Sequence, residues 1–87
     1  MATSTVEFQG QTYTFKGRPM THAVITTRSE AKPLVEFAGS LAKAQKVATG
    51  HINRIETVKR GEALRGCYST TWYASAIETI IVPASVS

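Results

Sequence analysis

Two histidines and one cysteine are the side chains with the widest chemical repertoire in this chain. A cysteine–histidine nucleophile is possible only if folding brings the Cys67 thiol beside the imidazole of His22 or His51. Their separation favours structural roles: Cys67 as a small strand hydrophobe, His22 at a sheet margin and His51 beside the apolar stripe of a helix. A single cysteine excludes an internal disulfide and a cysteine-rich metal site.

No catalytic or nucleotide-binding motif accompanies these residues. The glycines do not follow the spacing of a phosphate loop or a dinucleotide fingerprint. The chain has no aspartate, and its glutamates show no spacing suited to acid–base catalysis; those considered are Glu7, Glu36, Glu56, Glu62 and Glu78. We therefore expect no enzyme, no cofactor and no metal site, and a small enzyme or toxin is the third hypothesis.

Two adjacent aromatic residues, Trp72 and Tyr73, are the next candidates for a binding role. Their surroundings predict a strand, in which neighbouring side chains point to opposite faces. One ring should then enter the core while the other stands outside, where it would anchor a protein or stack on a base. Both remain candidate binding residues at this point, since the sequence does not decide which ring is exposed.

The positive charge of the chain is concentrated between residues 43 and 65, and the whole molecule has a formal net charge of +4. The candidate binding residues there are Lys43, Lys46, Arg54, Lys59, Arg60 and Arg65. A basic surface suits nucleic acid, an acidic protein or water alone. The solvated surface is the default for the outer face of an amphipathic helix.

A predicted helix over 40–61 must position these basic residues. Ser40 suits the N-cap, and Gly61 suits a left-handed C-terminal cap. Apolar residues recur at steps of three and four and should face the core; they are Leu41, Ala44, Ala48, Ile52 and Ile55. Gly50 weakens the helix interior, so packing must stabilise the helix.

Alternating apolar and polar residues predict strands elsewhere. Val6, Phe8, Tyr13 and Phe15 indicate a strand pair joined by a turn at 9–10. Residues 20–28 predict a third strand, placed at the centre of the sheet by its β-branched residues. Residues 67–83 predict one long strand, or a hairpin bent near 74–76.

The segment 29–39 has two interpretations. It can be a loop followed by a strand over 34–37, or the helix can begin near Pro33 and run unbroken to Arg60. We favour the strand, because Gly39 and Ser40 make a better helix start than helix interior.

Together these elements predict an α+β fold of order β-β-β-β-α-β. Its antiparallel sheet would have four or five strands, with one amphipathic helix packed on one face, because this arrangement buries both apolar surfaces. We expect a single domain over 1–87 with frayed ends at 1–4 and 84–87. The edge strands would be blunted by charges or paired with a partner or second copy, so a homodimer is one expectation.

Composition places the chain among globular proteins, since 43% of its residues are hydrophobic and 18% are charged. The start of the chain lacks the basic and apolar stretches of a secretion signal, and no apolar run is long enough for a membrane span. We therefore expect a cytoplasmic protein with no membrane contact.

Three stretches carry a resemblance to a known group of proteins: HAVITTR, LAKAQKVA and TTWYASAIETIIVPA. Their combination resembles the small uncharacterised accessory proteins of bacteriophages that infect actinobacteria. The resemblance covers most of the chain and transfers no site residues. It implies expression in the cytoplasm of an infected host and a role in binding a host or phage component.

The leading hypothesis is therefore a non-enzymatic binding module that acts by protein–protein contact. The alternative is a nucleic-acid-binding protein that uses the basic helix face.

Overall fold

The computed structural model describes residues 2–29, 31–64, 66 and 70–87. The elements are β1 (Ala2–Phe8), β2 (Gln11–Gly17), β3 (His22–Arg28), β4 (Ala31–Ala38), α1 (Leu41–Lys59), α2 (Thr70–Ala74), β5 (Ala76–Pro83) and β6 (Ser85–Val86). The predicted α+β class, the antiparallel pairing and the single main helix are confirmed.

The strands form two three-stranded antiparallel sheets rather than the one sheet of four or five strands that we predicted. One sheet has the order β2-β1-β6 and the other has the order β4-β3-β5. Only Ala84 separates β5 from β6, so one stretch of chain serves both sheets. The Ala84 backbone N–H donates to the carbonyl oxygen of Thr21 at 2.8 Å. The predicted strand ends at residue 83, as β5 does, but nothing in the sequence indicates that 85–86 pair with the other sheet.

The predicted turn between the first two strands is confirmed. Gln9 and Gly10 both have positive φ, at 51° and 77°, while Phe8 pairs with Gln11 on either side of them. Positive φ at both central residues is typical of the tight hairpin turn whose twist matches antiparallel strands.

Strand β3 lies at the centre of its sheet, as predicted, and is buried on both faces. Ala23 and Ile25 pack with Val6 of β1 on one face. Val24 packs with Ala44 and Ala48 of α1 on the other. Successive strand residues point to opposite faces, so the β4-β3-β5 sheet is the middle layer between α1 and the β1–β2 hairpin.

Helix α1 begins and ends as its sequence predicts, and β4 forms in place of the longer helix. The Ser40 hydroxyl accepts a hydrogen bond from the Lys43 backbone N–H at 3.2 Å. At the other end Gly61 has φ 82°, while Gly61 and Glu62 donate to the carbonyl oxygens of Val58 and Thr57. This is the Schellman arrangement, which satisfies carbonyl groups left free by the last turn.

The width of the buried stripe was predicted wrongly. Ala44, Ala48 and Ile55 are buried, but Ile52 is 41% exposed and Leu41 is 48% exposed. At about 100° per residue, Ile52 lies about 60° around the axis from Ile55, toward the margin of the stripe. The helix therefore leaves one edge of its predicted apolar face uncovered.

Two further expectations are corrected. Residues 70–74 form the short helix α2 instead of part of a strand, because Tyr73 turns inward and is buried with Ile55 and Ala76. Residues 2–4 and 84–87 are paired rather than frayed: Ser4 is fully buried, Thr5 pairs with Ser85, and Thr3 and Ser87 exchange two backbone hydrogen bonds of 2.9 Å. Within the described part of the chain, no helix has the length and apolar character needed to cross a membrane.

Candidate functional site

The predicted basic residues do not share one face of α1. Lys43 and Lys46 are exposed at the start of the helix, where Arg18 from the β2–β3 loop joins them around one pocket. Lys59 lies about 160° around the helix axis from Lys43, counted at about 100° per residue. It borders a different groove, beside β5. The positive charge is therefore divided between two separate surfaces.

Two arginines of the predicted set make contacts within the chain. Arg54 is half-buried, and its Nη1 donates to the hydroxyl oxygen of Tyr73 at 3.1 Å. Its guanidinium lies 5.8 Å from the centre of the same ring. Arg60 is exposed and pairs with Glu62 at 3.0 Å. Arg65 and Cys67 lie outside the described residues, so predictions that involve them stay predictions.

The two aromatic candidates occupy neighbouring positions of α2 and have different environments. Tyr73 is only 6% exposed and packs edge-to-face with Trp72 at a centroid distance of 4.8 Å. Trp72 is half-buried, and the Arg28 guanidinium lies 4.7 Å from the centre of its ring. This cation–π contact attaches α2 to the end of β3. Tyr73 is therefore the inward ring, and neither ring stands free as an isolated anchor.

A hydrogen-bonded network lies beneath these rings. His51 Nε2 is 2.6 Å from Glu36 Oε1, and His51 Nδ1 is 2.9 Å from the Tyr73 hydroxyl. The Glu36 carboxylate accepts, so Nε2 carries a proton. Arg54 can only donate, so the Tyr73 hydroxyl oxygen accepts from Arg54 and its own proton is available to Nδ1. In the neutral imidazole Nδ1 then accepts from Tyr73. Both His51 ring nitrogens and the Tyr73 hydroxyl, the buried polar groups of the network, therefore have partners within the chain.

The network is placed to stabilise packing. His51 and Tyr73 are each only 6% exposed, so a substrate has little access to the imidazole or the phenol. The Glu36 side chain is 40% exposed and forms the outer end of the network. Its members come from β4, α1 and α2, so these hydrogen bonds connect three elements. His22 lies apart from this network, and its Nδ1 is 2.8 Å from the hydroxyl of the neighbouring Thr21.

An apolar groove between α1 and β5 was missed by the sequence analysis. Ile77 is 58% exposed and Ile52 is 41% exposed, and both line a groove of about 220 Å³. The groove also contains Lys59, Glu56 and Glu78, so both charge signs border it. Ile77 is the extra residue of a β-bulge: Thr27 pairs with Glu78 and Arg28 pairs with Ala76, so no residue of β3 lies opposite Ile77. A bulge redirects a side chain, and no sequence pattern marked this one.

The edge of β5 beside this groove is free of strand pairing in the described residues. The opposite edge of the sheet, β4, contains Lys32 and Pro33 and a register shift. Both edge strands carry a charge and a bulge, because β5 has Glu78 and the bulge at Ile77. The difference between them is Pro33, which removes a backbone donor and so protects β4. Strand β5 has no proline from Ala76 to Val82, which leaves its outer edge suited to an added strand.

Comparison of the chain with protein-family models, with curated proteins and with solved structures gives no match.

Proposed function

We propose that this protein is a non-enzymatic binding module that contacts a partner protein through the groove between α1 and β5. The observation that supports this proposal most directly is the pair of exposed isoleucines, Ile52 and Ile77, beside a strand edge with which no described strand pairs. Exposed apolar residues at the floor of a groove are typical of contact sites when polar residues surround them. Here Glu56, Lys59 and Glu78 provide that polar rim.

The partner is proposed to add an extended strand to β5. Main-chain hydrogen bonds would supply affinity, and an apolar side chain of the partner would enter the groove between Ile52 and Ile77. The rim carries acidic and basic side chains together, so it favours a partner segment with both charge signs. The resemblance to phage accessory proteins suggests a host or phage protein as this partner.

A second copy of the chain is the first partner to test. Two β5 strands can pair antiparallel about a two-fold axis, and Lys59 of one copy would then face a rim that carries Glu56 and Glu78. Analytical ultracentrifugation should show a concentration-dependent dimer that Ile77→Glu abolishes. Leu34→Glu is the control, because Leu34 is 36% exposed at the protected β4 edge and should leave the dimer unchanged.

A partner other than a second copy requires a direct measurement of binding. A photo-crosslinking residue at position 77 should capture that partner in host cells, and the same residue at position 34 should not. The identified protein is then purified and titrated. We expect Ile77→Glu and Ile52→Glu to weaken its binding at least ~10-fold, as loss of a central apolar contact does. The proposal is refuted if the chain forms no dimer and if no purified partner is sensitive to these variants.

Nucleic-acid binding is the second candidate function. It is supported by the grouping of Arg18, Lys43 and Lys46, none of which has an ion-pair partner in the described residues. We rank it second because Lys59 lies on another surface and Arg60 is paired with Glu62. A phosphate backbone is followed by several aligned cations, and the described residues provide only a short group.

A further inference from the structure

A pocket of about 320 Å³ lies at the start of α1, apart from the groove at β5. The β2–β3 loop, the end of β4 and the first turns of α1 surround it. Its volume is near the lower end of the roughly 300–1,000 Å³ typical of ligand pockets, so it suits a few side chains rather than a long polymer.

The charged residues of this pocket all have the same sign. Arg18, Lys43 and Lys46 line it, and among the residues that the structure describes no carboxylate does so. None of the three makes an ion pair within the described chain. Glu36, on the neighbouring strand β4, is engaged by His51 at 2.6 Å. Within the described part of the chain no ion pair neutralises these positive charges, which favours an anionic partner.

The remainder of the lining is apolar and comes mainly from Met20, Phe37 and Val47. A ligand that fills the pocket must therefore present an apolar group together with negative charge. Phe37 also contacts Phe15 at a centroid distance of 5.7 Å, so its ring is supported from the β1–β2 hairpin. Phe37 packs with Val6 and Ile25 on the hairpin face of the sheet. Val47 packs on the helix face, so the pocket lies at the end of β4 where the two faces meet.

The loop that carries Arg18 is fixed in place by two hydrogen bonds. The Met20 backbone N–H donates to the Ser4 hydroxyl at 2.8 Å, and Ser4 is completely buried. The Thr21 carbonyl oxygen accepts from the Ala84 N–H at 2.8 Å. Pro19 further restricts the backbone between Arg18 and Met20. These constraints hold the pocket wall in shape before a ligand arrives, which reduces the entropic cost of binding.

We infer that this pocket binds a short acidic segment of a partner protein that carries one bulky apolar side chain between carboxylates. The apolar side chain contacts Met20, Phe37 and Val47, while the carboxylates pair with Arg18, Lys43 and Lys46. An acidic peptide fits better than nucleic acid because it supplies both chemistries within a few residues. The inference does not depend on the groove at β5, which lies on the other margin of α1.

The test uses a fluorescein-labelled peptide with one leucine between two runs of three glutamates. Fluorescence anisotropy should show micromolar, salt-sensitive binding to the full chain. Replacing the leucine by alanine should weaken binding by roughly 10-fold, because the apolar contact is lost. Arg18→Gln, Lys43→Gln and Lys46→Gln should each weaken it several-fold. Ile77→Glu should leave it unchanged, so the two binding proposals fail or succeed separately.

Two matched variants control for overall charge. Lys16→Gln and Lys32→Gln each remove one exposed positive charge outside the pocket and should not alter peptide binding. The inference is overturned if no peptide binds, if the controls lose as much affinity as the pocket variants, or if the alanine peptide binds equally well. Tighter binding to a single-stranded oligonucleotide of equal charge would overturn it in favour of nucleic acid. Circular dichroism should show that each variant is folded.

Discussion

The hydroxyl of Tyr73 is the point at which the buried polar network converges. It contacts Arg54 at 3.1 Å and His51 at 2.9 Å, and His51 continues the network to Glu36. The sequence indicated that His51 lies beside the apolar stripe, whereas the structure buries it as deeply as Ile55, each being 6% exposed. Its partners were not predictable, because residues 36 and 73 are brought to it only by the pairing of β4 and the fold of α2.

We predict that Tyr73→Phe destabilises the protein by about 1–3 kcal/mol, since it leaves the buried His51 Nδ1 without a partner. The midpoint of urea unfolding measures the loss. Tyr13→Phe is the control, because Tyr13 is half-buried and its hydroxyl has no hydrogen bond in the described residues. The control should change stability by no more than about 0.5 kcal/mol. Equal losses in both variants would show that the network contributes nothing specific.

At the scale of the element, α1 shows what a periodic pattern can and cannot specify. Spacing and caps located the helix, because both are properties of neighbouring residues. The same pattern placed Ile52 in the core, whereas it is 41% exposed. Burial of a stripe margin depends on how far the sheet extends beneath the helix. Strand β5 is the last strand on that side among those described, so the groove beside it stays open.

Helix α2 is the second element whose structure differs from the one predicted by the sequence. Thr70, Trp72 and Tyr73 have high strand propensity, yet the segment Thr70–Ala74 is helical. Strand propensity largely reflects packing on a half-buried pleated surface, and it is overridden when another conformation buries an aromatic ring better. Here the helical turn brings Tyr73 against Ile55 and His51. A helix of 5 residues is too short for a periodic signal.

We predict opposite outcomes for the same substitution at two isoleucines of α1. Ile55→Asp places a charge among Tyr73 and Ala76 and should unfold a domain whose stability is on the order of 5–15 kcal/mol. Ile52→Asp adds its charge at an exposed margin and should shift the melting temperature only slightly. Circular-dichroism melts compare the two. An unfolded Ile52→Asp variant would mean that the groove is closed in solution.

At the scale of the whole molecule, the three-layer arrangement separates the surfaces that the sequence had grouped together. Burying α1 against the β4-β3-β5 sheet turns Lys43 and Lys46 toward the β2–β3 loop and Lys59 toward β5. The charge of the chain was evident from composition, but its division was not, because it depends on where the sheet lies under the helix. Net positive charge alone therefore does not make this molecule a nucleic-acid binder.

The separation of Lys43 and Lys46 from Lys59 predicts weak, non-specific binding to nucleic acid. Fluorescence anisotropy with duplex DNA at physiological salt should give affinity weaker than the roughly 10⁻⁴–10⁻⁶ M of non-specific binders. A true phosphate-binding face would lose about 0.9 log units of affinity per log unit of salt for each phosphate contacted. The Lys43→Glu, Lys46→Glu double variant should still bind the partner at the β5 groove. The Ile77→Glu variant, in contrast, should lose that binding. Sub-micromolar, salt-steep DNA binding that the double variant abolishes would instead establish the basic pocket as a nucleic-acid site.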